Sequence, residues 1–133
     1  MTTLPTFEFA VHDERLAIAR LAADAAVPAW ARGAFVTASR TRAELSIVCA
    51  QQYVPAGVQH DRDKVAFGIV GTVPMTSIGI LASLCGALAA AAVPVFVIST
   101  YDTDWLLVSA SRFDAACQAL AGLGHRITGS LPA

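Results

Sequence analysis

Between Lys64 and Asp102 the chain carries no charged residue, and polar residues enter only at the joints between apolar blocks. An apolar stretch longer than the ~20 residues that cross a bilayer must either span one or be cut into pieces that bury one another. Gly71, Pro74, Gly79 and Pro94 cut this one. The pieces differ in kind, since Val65 to Val70 and Val93 to Thr100 are rich in β-branched residues whereas Ser77 to Ala92 is dominated by alanine. The alanine-rich piece also lacks basic or aromatic anchors on both sides. The run therefore reads as strand, helix, strand in a protein core rather than as a membrane segment.

At 56% hydrophobic residues, a chain of 133 residues can bury a substantial core as one compact domain or two very small ones. Nine basic and ten acidic residues offer no field for phosphate backbones or anionic lipid, so neither nucleic acid nor a membrane is expected as a partner. Cys49, Cys85 and Cys117 are odd in number, far apart and set in apolar segments, the pattern of reduced buried thiols in a cytoplasmic protein. The opening MTTLPTFEFAVHDER shows no secretory signal. A cytoplasmic location is the expectation.

The clearest boundary is PAGVQHDRDK, residues 55–64, where Pro55, Gly57 and a cluster of charges meet. It divides an N-terminal unit, residues 1–60, from a C-terminal domain, residues 61–133. The first is expected to hold a strand at Arg15 to Leu21 and a hairpin of Phe35 to Arg40 and Glu44 to Ala50 about the tip Thr41-Arg42-Ala43. The second reads as strand Val65 to Val70, helix Ser77 to Ala92, strands Val95 to Thr100 and Trp105 to Val108, helix Arg112 to Leu123 and strand His125 to Thr128. Thr76 or Ser77 suits the cap of the first helix, whose apolar surface all round implies burial on several sides. Phe113, Ala116, Cys117, Leu120 and Leu123 share one face of the second, Ser111 and Asp114 have capping-box spacing, and Gly122 and Gly124 supply the stop. The order β-α-β-β-α-β is the ferredoxin-like, α+β arrangement.

That scaffold serves many tasks, so function must be argued from residues. N–H groups at Thr76, Ser77 and Ile78, at a helix start, suit a carboxylate, while Asp104, and less so Asp102, suits an ammonium or a basic side chain. The same residues have plainer readings: Asp102 and Asp104 as turn formers, Ser99 and Thr100 as strand-end residues, Thr76 and Ser77 as a cap. Enzyme chemistry finds no support. His12, His60 and His125 lie apart, with no metal cluster and no Ser-His or Cys-His pair indicated by spacing, and Gly68, Gly71 and Gly79 do not fit a nucleotide fingerprint. No cofactor is expected. Trp30 and Trp105 read as core or interface anchors.

The stretch GILASLCGALAAAAVPVFVISTYDTDWLLV resembles the ACT-domain superfamily, in particular small bacterial ACT proteins related to CASTOR-type arginine sensors and to aspartate kinase regulatory domains. The resemblance rests on Gly79 to Ser83, Leu88-Ala89, Ser99-Thr100-Tyr101 and Asp104, of which the Ser-Thr-Tyr-Asp-Thr-Asp string is the specific part. Pro28-Ala29-Trp30 and the strand Glu44 to Cys49 resemble the degenerate ACT-like unit that precedes the ACT domain in that branch. Val73-Pro74-Met75-Thr76-Ser77 departs from the more polar or aromatic loop usual there. The resemblance implies a regulatory protein that binds a free amino acid between domains or subunits and thereby alters protein association. Thr100, Tyr101 and Asp104 match pocket positions, and the expected ligand-binding set is Thr76, Ser77, Ile78, Gly79, Ser99, Thr100, Tyr101, Asp102 and Asp104. A homodimer is the expected assembly, with a regulated protein as a further partner. The alternative is a dimerisation module that has lost its ligand.

Overall fold

The computed structural model describes residues 4–133, which form two compact units. One comprises the described residues up to Asp13 together with Val65–Leu131; the other comprises Glu14–Lys64 and Pro132–Ala133.

In the second unit, β2 (Leu16–Leu21) pairs antiparallel with β4 (Leu45–Ala50), which pairs with β3 (Thr37–Arg40). The Thr41 hydroxyl accepts the N–H groups of Ala43 and Glu44 and so shapes the hairpin tip. Ala19, Leu45, Ile47 and Cys49 form the buried face, with Leu21, Trp30, Val54 and Val58 packed against it. The strand labelled β5 (His60–Ile69) begins at His60, so the charges of residues 60–64, read as a linker from sequence, lie in a strand. They remain compatible with one because Asp61 and Arg62 are exposed.

A bulge interrupts the pairing of β2 with residues 60–64: Leu16 faces Lys64, but Ile18 faces Asp61. The extra residue is accommodated by Asp63 at φ +60°, a left-handed conformation that Asp and Asn tolerate better than most residues. Gln51 clamps it from both sides, its Oε1 accepting the Asp63 N–H at 2.7 Å and its Nε2 donating to Oδ1 at 3.2 Å. Arg15 Nη1 donates to the same oxygen at 3.2 Å. The Gln51 hydrogen bond, then that of Arg15, holds the carboxyl below its ordinary range. A depressed carboxylate contributes stability above its unfolded pKa of about 4 that is lost as pH falls through the lower folded value. With the Asp63 side chain 48% exposed, the contribution is small. Asp63→Asn keeps the left-handed tolerance and the N–H bond to Gln51 but removes the charge. Urea titrations between about pH 5 and about pH 3 are expected to show a shallower loss of stability for this variant than for wild type. Parallel losses would mean that the charge contributes nothing.

The first unit is built on strands β1 (Glu8–Val11), the 65–69 part of β5, β6 (Phe96–Ser99), β7 (Asp104–Ser109) and β8 (Arg126–Thr128), with helices α1 (Ile80–Ala90) and α2 (Phe113–Gly122). The strand order is β6-β7-β5-β1-β8, with β1 antiparallel to β5 and parallel to β8. This is the expected β-α-β-β-α-β series with one addition, since β1 lies between β5 and β8. Phe7, Phe9 and Val11 alternate onto the core, and Phe9 is fully buried there. From α1 come Ile80, Leu84 and Leu88, four residues apart on one face. Ala82, Gly86, Ala89 and Ala90 are exposed, so the helix is buried on one face rather than all round. Small side chains make that exposure cheap, because alanine and glycine offer little apolar area to water.

Both helices end in the same way. Val93 N–H returns to Leu88 O and Ala92 N–H to Ala89 O; His125 N–H returns to Leu120 O and Gly124 N–H to Ala121 O. Each is a Schellman motif with a left-handed residue at its turn, Ala92 at φ +58° and Gly124 at φ +93°. The starts differ from expectation. Gly79 at φ +85° caps α1 and Arg112 caps α2, in neither case through a side-chain hydrogen bond, so neither the Thr76 or Ser77 cap nor the Ser111-Asp114 capping box forms. Left-handed Gly79 turns the chain into α1, and a short 3-10 turn over Ala110–Arg112 displaces the box from α2. Among the described residues no helix is long and apolar enough to cross a membrane.

Candidate functional site

The loop from Val70 to Gly79 and the β6-β7 turn meet over the start of α1. Val73 is buried, and its N–H donates to Asp102 O at 2.7 Å, which ties loop to turn. Ser77 N–H is spent on Pro74 O in a tight turn. The first intrahelical bond of α1 runs from Ser83 N–H to Gly79 O, so the N–H groups of Ile80, Leu81 and Ala82 have no intrahelical acceptor. The helix dipole places partial positive charge at the same point.

Across from it, Ser99 faces Asp104 as the last pair of the β6-β7 ladder. Ser99 Oγ donates to Asp104 Oδ1 at 2.6 Å, a charge-assisted bond that fixes one carboxylate oxygen. Thr100 and Thr103 close the turn, Thr100 N–H and Oγ1 both donating to Thr103 O, at 2.9 and 3.1 Å. Thr103 Oγ1 in turn donates to Ile69 O at 2.9 Å, anchoring the turn to β5.

These elements enclose a cleft of about 650 Å³, within the usual range of small-molecule sites. Of the residues proposed from sequence, Ser77, Gly79, Ser99, Thr100, Tyr101 and Asp104 line it. Thr76, Ile78 and Asp102 are exposed and stand outside the lining, although Asp102 contributes through its backbone carbonyl. The lining also takes in Ile80, Leu81 and Ala82, so that the N–H groups without an intrahelical acceptor lie four residues later than the sequence predicts. Gly79 was the available signal, because glycine is itself an acceptable cap. The loop and the turn also expose large apolar side chains among polar ones: Met75 is 73%, Ile78 88% and Tyr101 82% exposed, beside exposed Thr76 and Asp102.

The cleft therefore sets a helix end with unbonded N–H groups beside a carboxylate. Among the described residues no group of three or more His, Cys, Asp or Glu is placed to hold a metal. Burial pushes the Cys49 and Cys117 thiols up, away from the thiolate form that nucleophilic chemistry requires.

Comparisons with known proteins agree with this architecture. A family model described as ACT domain matches residues 59–122, and a second model, of an N-terminal domain, matches residues 14–57. A crystal structure of a protein from Agrobacterium tumefaciens is 35% identical, each chain being covered to 94%, with a TM-score of 0.88. A protein of unknown function from Vibrio cholerae is 18% identical over 89% of this chain and 90% of that one, with a TM-score of 0.74. The regulatory subunit of aspartate kinase from Thermus flavus shares the fold at 14% identity, covering 87% of this chain and 96% of that one, with a TM-score of 0.61. No curated protein matches the chain.

Proposed function

This chain belongs to the ACT-domain family, whose fold is a regulatory type, and on that premise we propose that it binds a free amino acid in the cleft between α1 and the β6-β7 turn and thereby alters its association with other proteins. The observation that carries the reading is the pairing of the free N–H groups of Ile80 to Ala82 with the Asp104 carboxylate across one cleft. The ligand carboxylate takes the helix end. Its ammonium takes Asp104, whose second oxygen is left available while Ser99 holds the first. Thr100 and Tyr101, which line the same cleft, are assigned to the ligand side chain in this reading.

Such a site is half built in one chain. The exposed apolar side chains of Met75, Ile78 and Tyr101 support a homodimer in which a second copy covers the cleft, coupling ligand binding to association. The same side chains support the second reading, a dimerisation module with no ligand. Melting temperature measured with each of the twenty amino acids at millimolar concentration separates the two. A ligand at a hundred times its dissociation constant is expected to add about 2.7 kcal/mol, a shift of several degrees, that Asp104→Ala abolishes. No shift with any of them, in a folded dimeric protein, would leave the module.

A further inference from the structure

A second cleft, of about 320 Å³, lies in the same unit, walled by Leu4, Phe7, Ile80, Ser83, Leu123 and His125, and shares Ile80 with the first. His125 is its one strongly polar feature and is 7% exposed. Its ring is fixed, stacked on Phe7 with centroids 5.7 Å apart and meeting Phe9 edge-on at 5.4 Å. Nδ1 accepts the Phe7 N–H at 2.9 Å, so the neutral ring must carry its proton on Nε2. Nε2 hydrogen-bonds to none of the described residues, yet none of their fully buried side-chain polar atoms lacks a partner. Nε2 is therefore not fully buried, and its ring belongs to the wall of the cleft: a held, unspent donor beside an apolar hollow.

We propose that this cleft is a binding site for a small uncharged molecule with an apolar body and one hydrogen-bond acceptor, such as an amide or ketone, which takes the Nε2–H of His125. The described lining contains no charged side chain, so an ionised ligand would lose hydration without gaining a counter-ion. Burial lowers the His125 pKa and keeps the ring neutral near pH 7, in agreement with an uncharged acceptor. Ser83, half-buried on α1, supplies a second polar group along the wall. The two clefts share Ile80, but no polar side chain lines both, Asp104 and Ser99 having no part in the second.

The probe is benzamide, with benzoate as its charged counterpart, titrated into the full chain labelled with ¹⁵N-histidine near pH 7.5. The expected result is a saturable shift of the His125 Nε2 resonance with benzamide and none with benzoate. Asp104→Ala is expected to leave that shift unchanged, and Ser83→Phe, which fills the cleft, to remove it. Leu123→Trp fills the same space from an exposed position and serves if Ser83→Phe does not fold. The proposal is overturned by no saturable shift with benzamide, by a shift that survives both filling variants, or by benzoate binding as well as benzamide. None of these outcomes depends on whether the first cleft takes an amino acid.

Discussion

Gly68→Val is expected to cost about 3 kcal/mol or more of folding stability. Gly68 sits in β5 opposite Ala10 of β1, and the ring of Trp105 lies directly on it. A Cβ at this position would stand 2.5 Å from Trp105 Cζ3 and 2.8 Å from Cε3 and Cη2. These are rigid ring atoms, so neither a rotamer change nor a slight backbone shift clears them, and the indole must leave its place. The variant is expected to show a lower urea midpoint by far-ultraviolet circular dichroism, together with altered Trp105 emission in the native state. A loss below about 1 kcal/mol would mean that the indole moves freely and does not depend on a bare glycine.

The second large effect is expected at Phe67, one residue earlier in the same strand. It is fully buried, and its ring stacks on that of Phe113 at the start of α2, centroids 5.4 Å apart and planes 12° from parallel. Phe67→Ala is expected to cost about 3–5 kcal/mol, from lost burial and the cavity left behind. Phe113→Leu, at a half-buried position, removes only the ring stacking and part of the area, and should cost markedly less. Equal losses for the two variants in urea unfolding would place the core elsewhere than around Phe67.

Much of this fold is legible in the sequence because the apolar periodicities are strong. The β6-β7 hairpin, both helices and the Thr41-Arg42-Ala43 tip all follow from runs of apolar residues interrupted by turn formers. Three features escape that reasoning. Strand β1 is faint in the sequence, although Phe7, Phe9 and Val11 alternate as a half-buried strand does, because so short a run beside the charges of residues 13–15 gives a weak periodic signal. The early start of β5 was hidden because exposed strand residues can be charged without penalty, and because a bulge at Asp63 breaks the alternation. Thr76 and Ser77 are good caps by residue type, but a left-handed glycine lies downstream and decides the start of α1 locally.

That last difference bears on the site. Ser99, Thr100, Tyr101 and Asp104 stand on a hairpin whose geometry follows from the strands around it, so their placement at the cleft is legible from sequence. The unbonded N–H groups belong to whichever residues open the helix, and with Gly79 as the cap these are Ile80, Leu81 and Ala82 rather than Thr76, Ser77 and Ile78. Which backbone N–H groups are left unbonded leaves no side-chain signature.

The most direct test of the amino-acid-binding account is a ¹H-¹⁵N titration with the amino acid that raises the melting temperature most. The account predicts that the backbone amides of Ile80, Leu81 and Ala82 and of Ser99 to Asp104 shift together and saturate with one dissociation constant, and that Asp104→Ala removes the response. Saturable shifts confined to other parts of the chain, or a response unchanged by Asp104→Ala, would contradict it.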